Sequence, residues 1–134
     1  MKRVLIDSNV LLDIFTEDPK WFEWSSSQLA DLSEHNSLCI NPIIYGEISI
    51  GFKTAEDLEK ALPSEILRVS LPWEAAFLAG KSFIQYKRKG GLKVSTLPDF
   101  FIGAHASVEN LILLTRDVSR YQTYFPKLRL VSPE

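Results

Sequence analysis

The sequence predicts a three-layer α/β/α domain built on a central, mostly parallel sheet of four to five short strands. Apolar, β-branched runs of about four residues recur along the chain, too uniformly apolar to be half-exposed strands. Between them lie segments with helical spacing and helix-capping signals, and such alternation implies parallel strands joined by helical crossovers on both faces of the sheet. The 134 residues carry no internal repeat, low-complexity tract or linker. That length suits one domain with its own core.

Taken in order, Arg3-Val4-Leu5-Ile6 reads as a buried strand, and Asp7-Ser8-Asn9 caps a helix over 10–15. A second helix is expected over 18–35, with Asp18 as cap and Pro19 in the first helical position. Leu38-Cys39-Ile40 is the second strand. Asn41-Pro42 opens a helix that reaches Ile50 and ends at Gly51. Thr54 caps a short polar helix, and Ile66-Leu67-Arg68-Val69 is the third strand. Pro72 starts a long helix that closes on Lys87-Arg88-Lys89 and then Gly90-Gly91, cations followed by glycine being what a helix C-terminus favours. Pro98 opens another helix, ending near Glu109-Asn110. Leu111-Ile112-Leu113-Leu114 is the fourth strand, a short helix is expected over 120–124, and Leu128-Arg129-Leu130-Val131 completes the sheet.

Composition narrows the function. Fifteen basic and 17 acidic residues give a net charge of −2, so the chain is not a generally cationic nucleic-acid binder. Any contact with nucleic acid must rest on a local patch or on bound cations. The single cysteine, Cys39, excludes an intrachain disulfide and a thiolate-rich zinc site, and its apolar neighbours make it a buried, inert thiol. Lys2 and Arg3 precede an apolar run that Asp7 stops at once, so no signal peptide is expected. No uninterrupted apolar stretch approaches the roughly 20 residues that span a bilayer. A cytoplasmic protein without a membrane partner is the expectation.

In parallel α/β sheets, ligands collect outside the carboxyl ends of the strands. Asp7 follows the first strand directly, Asp117 follows the fourth after Thr115-Arg116, and Glu47 lies on the helix beyond the second. Asp99 sits in the first turn of a helix that leads back into the fourth strand, so its turn also returns to that edge and faces Asp117. Each acid has a bland alternative. Asp7 and Asp117 are good helix caps, and Asp99 suits the positive end of its helix. Glu47 has Ile43, Ile44, Ile50 and Gly51 as helical neighbours, so it either reaches out to water at the helix margin or meets a cation. Crowded carboxylates raise one another's pKa values, and a hard divalent cation such as Mg²⁺ or Mn²⁺ relieves that repulsion. One or two such ions suit phosphodiester hydrolysis, which then needs no histidine or cysteine.

Four segments together carry a resemblance. Val4-Leu5-Ile6-Asp7-Ser8-Asn9, the Glu47 helix, Leu97-Pro98-Asp99-Phe100-Phe101-Ile102-Gly103-Ala104-His105-Ala106 and Leu113-Leu114-Thr115-Arg116-Asp117 resemble PIN-domain nucleases, most closely the VapC-type toxins of prokaryotic toxin–antitoxin pairs. The ending from Tyr124 to Val131 resembles that family's closing strand. The resemblance implies a three-layer PIN-like fold over residues 1–134 and a Mg²⁺- or Mn²⁺-dependent endoribonuclease. It implies a homodimer restrained by a cognate VapB-like antitoxin, and cleavage that leaves a 5′-phosphate and a 3′-hydroxyl. By position, Asp7, Glu47, Asp99 and Asp117 match the acidic quartet that binds metal, Glu47 by ligation or by orienting a metal-bound water. Asn9 and Thr115 match the polar residues that orient the first and last acids. Some relatives carry an additional acid shortly after the last one, where this chain reads Val118-Ser119-Arg120-Tyr121.

Arg116 and Arg120 flank Asp117 and are the candidate contacts to an RNA phosphate, although Arg116 alternatively neutralises neighbouring acids. Lys87, Arg88, Lys89 and Lys93 either grip phosphates or form a solvated helix end. His35 reads as a surface or capping residue and His105 as a core residue, neither as a metal ligand. Trp21, Phe22 and Trp24 exceed what one buried helical face can take, leaving an exposed contact face or close packing on the next helix. A phosphoacceptor receiver domain would need an acid where Ser70-Leu71-Pro72 stands. A haloacid-dehalogenase-type phosphatase would need a second aspartate at Asn9, and neither fits. The remaining alternative is the same fold acting as a metal-poor RNA-binding or protein-binding module.

Overall fold

Val4, Leu5 and Ile6 offer no polar side-chain atom to water, and all three are fully buried at the end of strand β1 (Lys2–Ile6). The computed structural model, which describes residues 2–90 and 96–133, places β1 at the centre of a five-stranded parallel sheet. On one side β1 pairs with β2 (Asn36–Ile40), Val4 standing beside Leu38 and Leu5 beside Cys39. On the other it pairs with β4 (Ile112–Leu114), Leu5 beside Leu113 and Ile6 beside Leu114. Strands β3 (Leu67–Arg68) and β5 (Arg129–Val131) form the edges, giving the order β3-β2-β1-β4-β5. The central strands read as unbroken apolar runs because helices cover both of their faces. The edge strands are two and three residues long and carry Arg68 and Arg129, short charged edges that do not invite further pairing. Cys39 is buried as expected, and burial pushes its thiol up to about 11.

Among the described residues six α-helices flank the sheet: α1 (Ser8–Phe15), α2 (Phe22–Ser33), α3 (Pro42–Ser49), α4 (Ala55–Ala61), α5 (Trp73–Arg88) and α6 (Leu97–Val108). At α1, α3 and α4 the start is set by a side chain that accepts from an otherwise unpaired N–H group. Asp7 caps α1, Asn41 accepts from Ile44 N–H at 2.9 Å, and Thr54 accepts from Asp57 N–H at 3.1 Å. Asn41 also donates Nδ2 to Nδ1 of the buried His105 at 2.9 Å, and His105 Nε2 meets Glu109 3.3 Å away. His105 is thus the satisfied core histidine the sequence indicated, and burial lowers its pKa.

The structure corrects four boundaries. Asp18 caps a turn rather than a helix: its Oδ1 accepts from the N–H groups of Lys20 and Trp21, each at 2.9 Å, and α2 begins only at Phe22. Strand β3 is half its expected length because pairing with β2 involves only Leu67 and Arg68. Helix α6 begins at Leu97 with Pro98 already inside its first turn, since Thr96 and Asp99 close its end. The expected helix over 120–124 is instead a 3₁₀ turn, Val118–Arg120, that overlaps that range only at Arg120. Lys93 and Gly91 lie outside the described residues.

Helices α5 and α6 pack as a pair, joined by an aromatic cluster. Phe100 stands 5.5–6.1 Å from Phe83, Tyr86, Tyr124 and Phe125, ring centre to ring centre. Tyr121 and Phe125 fit over Gly103, where an added Cβ would meet a Phe125 ring carbon at 2.6 Å.

Candidate functional site

The strand order reverses at β1: the chain proceeds from β1 outward to β2 and β3, then returns to β4 on the opposite side. Outside the carboxyl ends of β1 and β4, where the crossovers diverge, open α/β sheets have their usual ligand crevice. Asp7 and Thr115 stand there side by side, each one residue beyond its strand. Their backbones continue the ladder, Asp7 N–H donating to Leu114 C=O at 2.9 Å.

Asp7 is 2% exposed, and nearly every donor around it is neutral. Its Oδ1 accepts from Ser8 N–H at 2.8 Å. Its Oδ2 accepts from Tyr121 OH at 2.7 Å, from Thr115 Oγ1 at 2.8 Å and from Asn9 Nδ2 at 3.3 Å. Thr115 Oγ1 in turn accepts from Asp117 N–H at 3.1 Å and from Asn9 Nδ2 at 3.3 Å, so one hydroxyl ties the turns after β1 and β4 together. Burial raises the Asp7 pKa; the hydrogen bonds from Tyr121, Thr115 and Ser8 oppose that rise, and the charge of Asp99 adds to it.

Glu47 projects from α3 and accepts from Ser8 Oγ at 2.7 Å. Desolvation raises its pKa; the Ser8 hydrogen bond and Arg120 oppose this, while Asp7 and Asp99 reinforce it. Asp99 is buried, with Oδ2 accepting from Thr96 N–H at 2.9 Å and from its hydroxyl at 3.2 Å. This closes the start of α6 and leaves Oδ1 toward Arg120 Nη1, 3.5 Å away. Asp117 is half-buried, its Oδ1 accepting from Ser119 Oγ at 2.9 Å and its Oδ2 standing 2.7 Å from Arg120 Nε. Asp99 and Asp117 therefore meet through a cation. The Arg120 Nε is buried and close to Asp117, yet its N–H is not aimed at any acceptor, so the attraction is of charge rather than of a well-formed hydrogen bond.

The two arginines differ in their partners. Arg116 donates Nε to Asp13 Oδ2 at 2.8 Å and Nη2 to Asp13 Oδ1 at 3.1 Å, and its guanidinium lies over the Trp21 ring. Asp13 is buried and also accepts from Ser25 Oγ at 2.8 Å. Arg116 thus neutralises a neighbouring acid, the second of its two sequence readings: the fork geometry satisfies a buried carboxylate outside the quartet, whose removal from water is costly unless it is paired. Trp21, Phe22 and Trp24 are half-buried, Trp21 edge-on to Trp24, which makes them packing residues around this pair. Lys89 lies over the Tyr124 ring and Lys87 over the Phe83 ring, which sets the basic end of α5 beside the start of α6.

Sequence reasoning missed Tyr121 and Ser8 as partners of the acids and Asp13 as the partner of Arg116. A tyrosine inside a charged turn was a signal for the first, since a buried phenol needs an acceptor. Among the described residues, no three Asp, Glu, His or Cys side chains converge closely enough to hold a metal ion as they stand. The chemistry of the donors nevertheless suits a hard divalent cation. All are oxygens, four acids face one arginine, and the pKa values of Asp7 and Glu47 are raised partly by their neighbours.

Fold and site together define a parallel α/β/α domain with a carboxylate-lined crevice at its topological switch point. The family model for the PIN domain matches residues 4–125, and the chain belongs to that family, whose members are typically hydrolytic nucleases dependent on divalent metal. No curated protein sequence matches it significantly. Among solved structures, the fold is similar to VapBC2 from Rickettsia felis bound to a promoter DNA fragment, with a TM-score of 0.75, 20% identity, and 97% of this chain and 98% of that one covered. It is also similar to DNA-bound VapBC from Salmonella typhimurium (TM-score 0.73, 18% identity, 98% of each chain). A third such structure is VapBC-1 from nontypeable Haemophilus influenzae (TM-score 0.73, 20% identity, 97% of each chain). No helix among the described residues is long and apolar enough to cross a membrane.

Proposed function

We propose that this protein is a Mg²⁺- or Mn²⁺-dependent endoribonuclease, the toxin of a VapBC-type pair, acting in the cytoplasm as a homodimer and held in check by a VapB-like antitoxin. The observation that supports the reading is that Asp7 and Glu47 each lie in the electrostatic field of Asp99, both Asp7 and Asp99 being buried, while Asp117 is joined to Asp99 through Arg120. Asp7, Asp99 and Asp117 would hold the metal, and Glu47 would bind it or orient its water. When bound, a divalent ion supplies an activated water and stabilises charge on the phosphodiester oxygens.

The chain's own residues prepare the site. Thr115 and Tyr121 hold Asp7 Oδ2 in one orientation, Asn9 braces Thr115, and Ser8 fixes Glu47. Supporting hydrogen bonds of this kind orient metal ligands and are costly to remove. Arg120 would meet an RNA phosphate.

Asp7→Asn and Asp99→Asn should each reduce Mg²⁺-dependent cleavage of single-stranded RNA by at least about a hundredfold, with circular dichroism unchanged. Cleavage at the parental rate by either variant would overturn the assignment. The absence of a closed three-ligand cluster among the described residues favours one second reading, a metal-poor RNA-binding or protein-binding module. RNA affinity indifferent to EDTA, with no turnover, would select it.

A further inference from the structure

Helix α1 carries a single charged residue, Asp13, beside the apolar Leu12, Ile14 and Phe15. It is 2% exposed, lies outside the acidic quartet and takes no part in the chemistry proposed above. A carboxylate so placed is costly unless a cation meets it. The cation is Arg116, 103 residues further along the chain, which stands between Thr115 and Asp117 in the turn after β4.

Asn9 and Asp13 are four residues apart, so their side chains leave the same face of α1. Both reach that one turn. Asn9 donates Nδ2 to Thr115 Oγ1 at 3.3 Å and accepts from Arg116 N–H at 3.4 Å. Asp13 takes the Arg116 guanidinium with both oxygens, at 2.8 and 3.1 Å. From α2, Ser25 Oγ donates to Asp13 Oδ2 at 2.8 Å, and the Trp21 ring lies 5.4 Å from the guanidinium carbon. A planar fork that is bidentate on one side and stacked on a ring has one orientation open to it.

We infer that Asp13 is a positioning residue: acting through Arg116, it fixes the turn that carries Thr115 and Asp117 against the helix that Asp7 caps. Its catalytic consequence rests on the nuclease reading above, whereas the fixing of the turn stands without it. Energetics point to position rather than stability. A buried ion pair adds little net stability, and apolar side chains of similar volume often replace it without loss. Such replacements lack direction, however, and the backbone on both sides of Arg116 needs it. Thr115 Oγ1 donates to Asp7 Oδ2 at 2.8 Å while accepting from Asp117 N–H at 3.1 Å, so a shift of the turn disturbs two of the acids together.

Amide hydrogen exchange, read residue by residue by NMR on the metal-free chain, separates the two roles. In the double variant Asp13→Leu, Arg116→Met, the Asp117 amide should exchange about tenfold faster or more. The Leu5 and Leu113 amides of the central strands should keep their protection, and the melting temperature should hold or rise. Arg116→Lys keeps the charge and loses the fork; it should fold as the parent does and also speed exchange at Asp117. In both variants Mn²⁺ affinity, measured by electron paramagnetic resonance of free Mn²⁺, should fall about tenfold. Parental exchange at Asp117 in both variants would overturn the inference. Faster exchange with parental Mn²⁺ affinity would confine the pair to stabilising its turn and would overturn its role in the site. A parent that neither binds Mn²⁺ nor cleaves RNA, with Asp117 exchange still dependent on the pair, would count only against the nuclease reading.

Discussion

Asp7 is a buried carboxylate whose nearest donors, Ser8 N–H, Thr115, Tyr121 and Asn9, are all neutral. Burial outweighs those bonds and raises its pKa above the ordinary value of 3.8. The folded chain therefore takes up its proton at higher pH than the unfolded chain. Stability is greatest where Asp7 is protonated in both states, and it falls as pH climbs from about 3.8 through the raised folded value. In the absence of divalent metal, Asp7→Asn should raise the melting temperature near neutral pH by about 3–5 °C and flatten its decline above pH 4. Parallel melting curves for parent and variant across that range would contradict this.

Arg120 stands between Asp99 and Asp117, the two acids a metal would also need. Its contacts, one long to Asp99 and one close but poorly aligned to Asp117, contrast with the two well-formed bonds of Arg116 to Asp13. A divalent ion must compete with this resident cation, so Arg120→Gln should tighten Mn²⁺ binding by about tenfold, measured by electron paramagnetic resonance of free Mn²⁺. Unchanged or weaker binding would show that Arg120 and metal do not compete. The sequence puts the four acids at one sheet edge because Asp7 and Asp117 follow strands, Glu47 lies on the helix that leaves a strand and Asp99 opens a helix that leads back into one, whereas Asn9 and Thr115 are singled out by the family resemblance. The partners Tyr121 and Asp13 could not be placed in this way, since they depend on how two distant turns fold against each other.

At the scale of elements, α6 couples the core to the site. Phe125 and Tyr121 pack onto Gly103, where an added Cβ would stand 2.6 Å from one ring and 3.1 Å from the other. Gly103→Ala should cost about 1–3 kcal/mol by overpacking, despite the better helix propensity of alanine. Because Tyr121 also holds Asp7, the same change should weaken Mn²⁺ binding in a still-folded variant, measured by thermal melts with and without the ion. Full stability in Gly103→Ala would mean that the rings move aside at no cost.

The central strands were legible because an apolar run of that length has no other stable use in a chain this short. Thr96-Leu97-Pro98-Asp99 also carried a readable capping signature, overshadowed by its proline. The start of α2 was not legible: Glu17 takes a positive φ of 50° and Asp18 spends its side chain on a turn, choices made by the surrounding fold. The length of β3 depends on what its neighbour leaves unpaired, which no local pattern records.

For the whole molecule, the strand order gathers acids that stand up to 110 residues apart in sequence at one crevice. Strand alternation announced the sheet and its ligand-bearing edge; which side of β1 the fourth strand joins, and hence where the crevice opens, was set by tertiary pairing. The central claim is that this crevice is a divalent-metal centre. Crystals grown with Mn²⁺ test it most directly, through anomalous difference density. A peak is expected within coordination distance of Asp7 and Asp99 oxygens, with the Arg120 guanidinium moved off Asp99. Saturating Mn²⁺ with no peak among these carboxylates, and Arg120 still seated between Asp99 and Asp117, would contradict it.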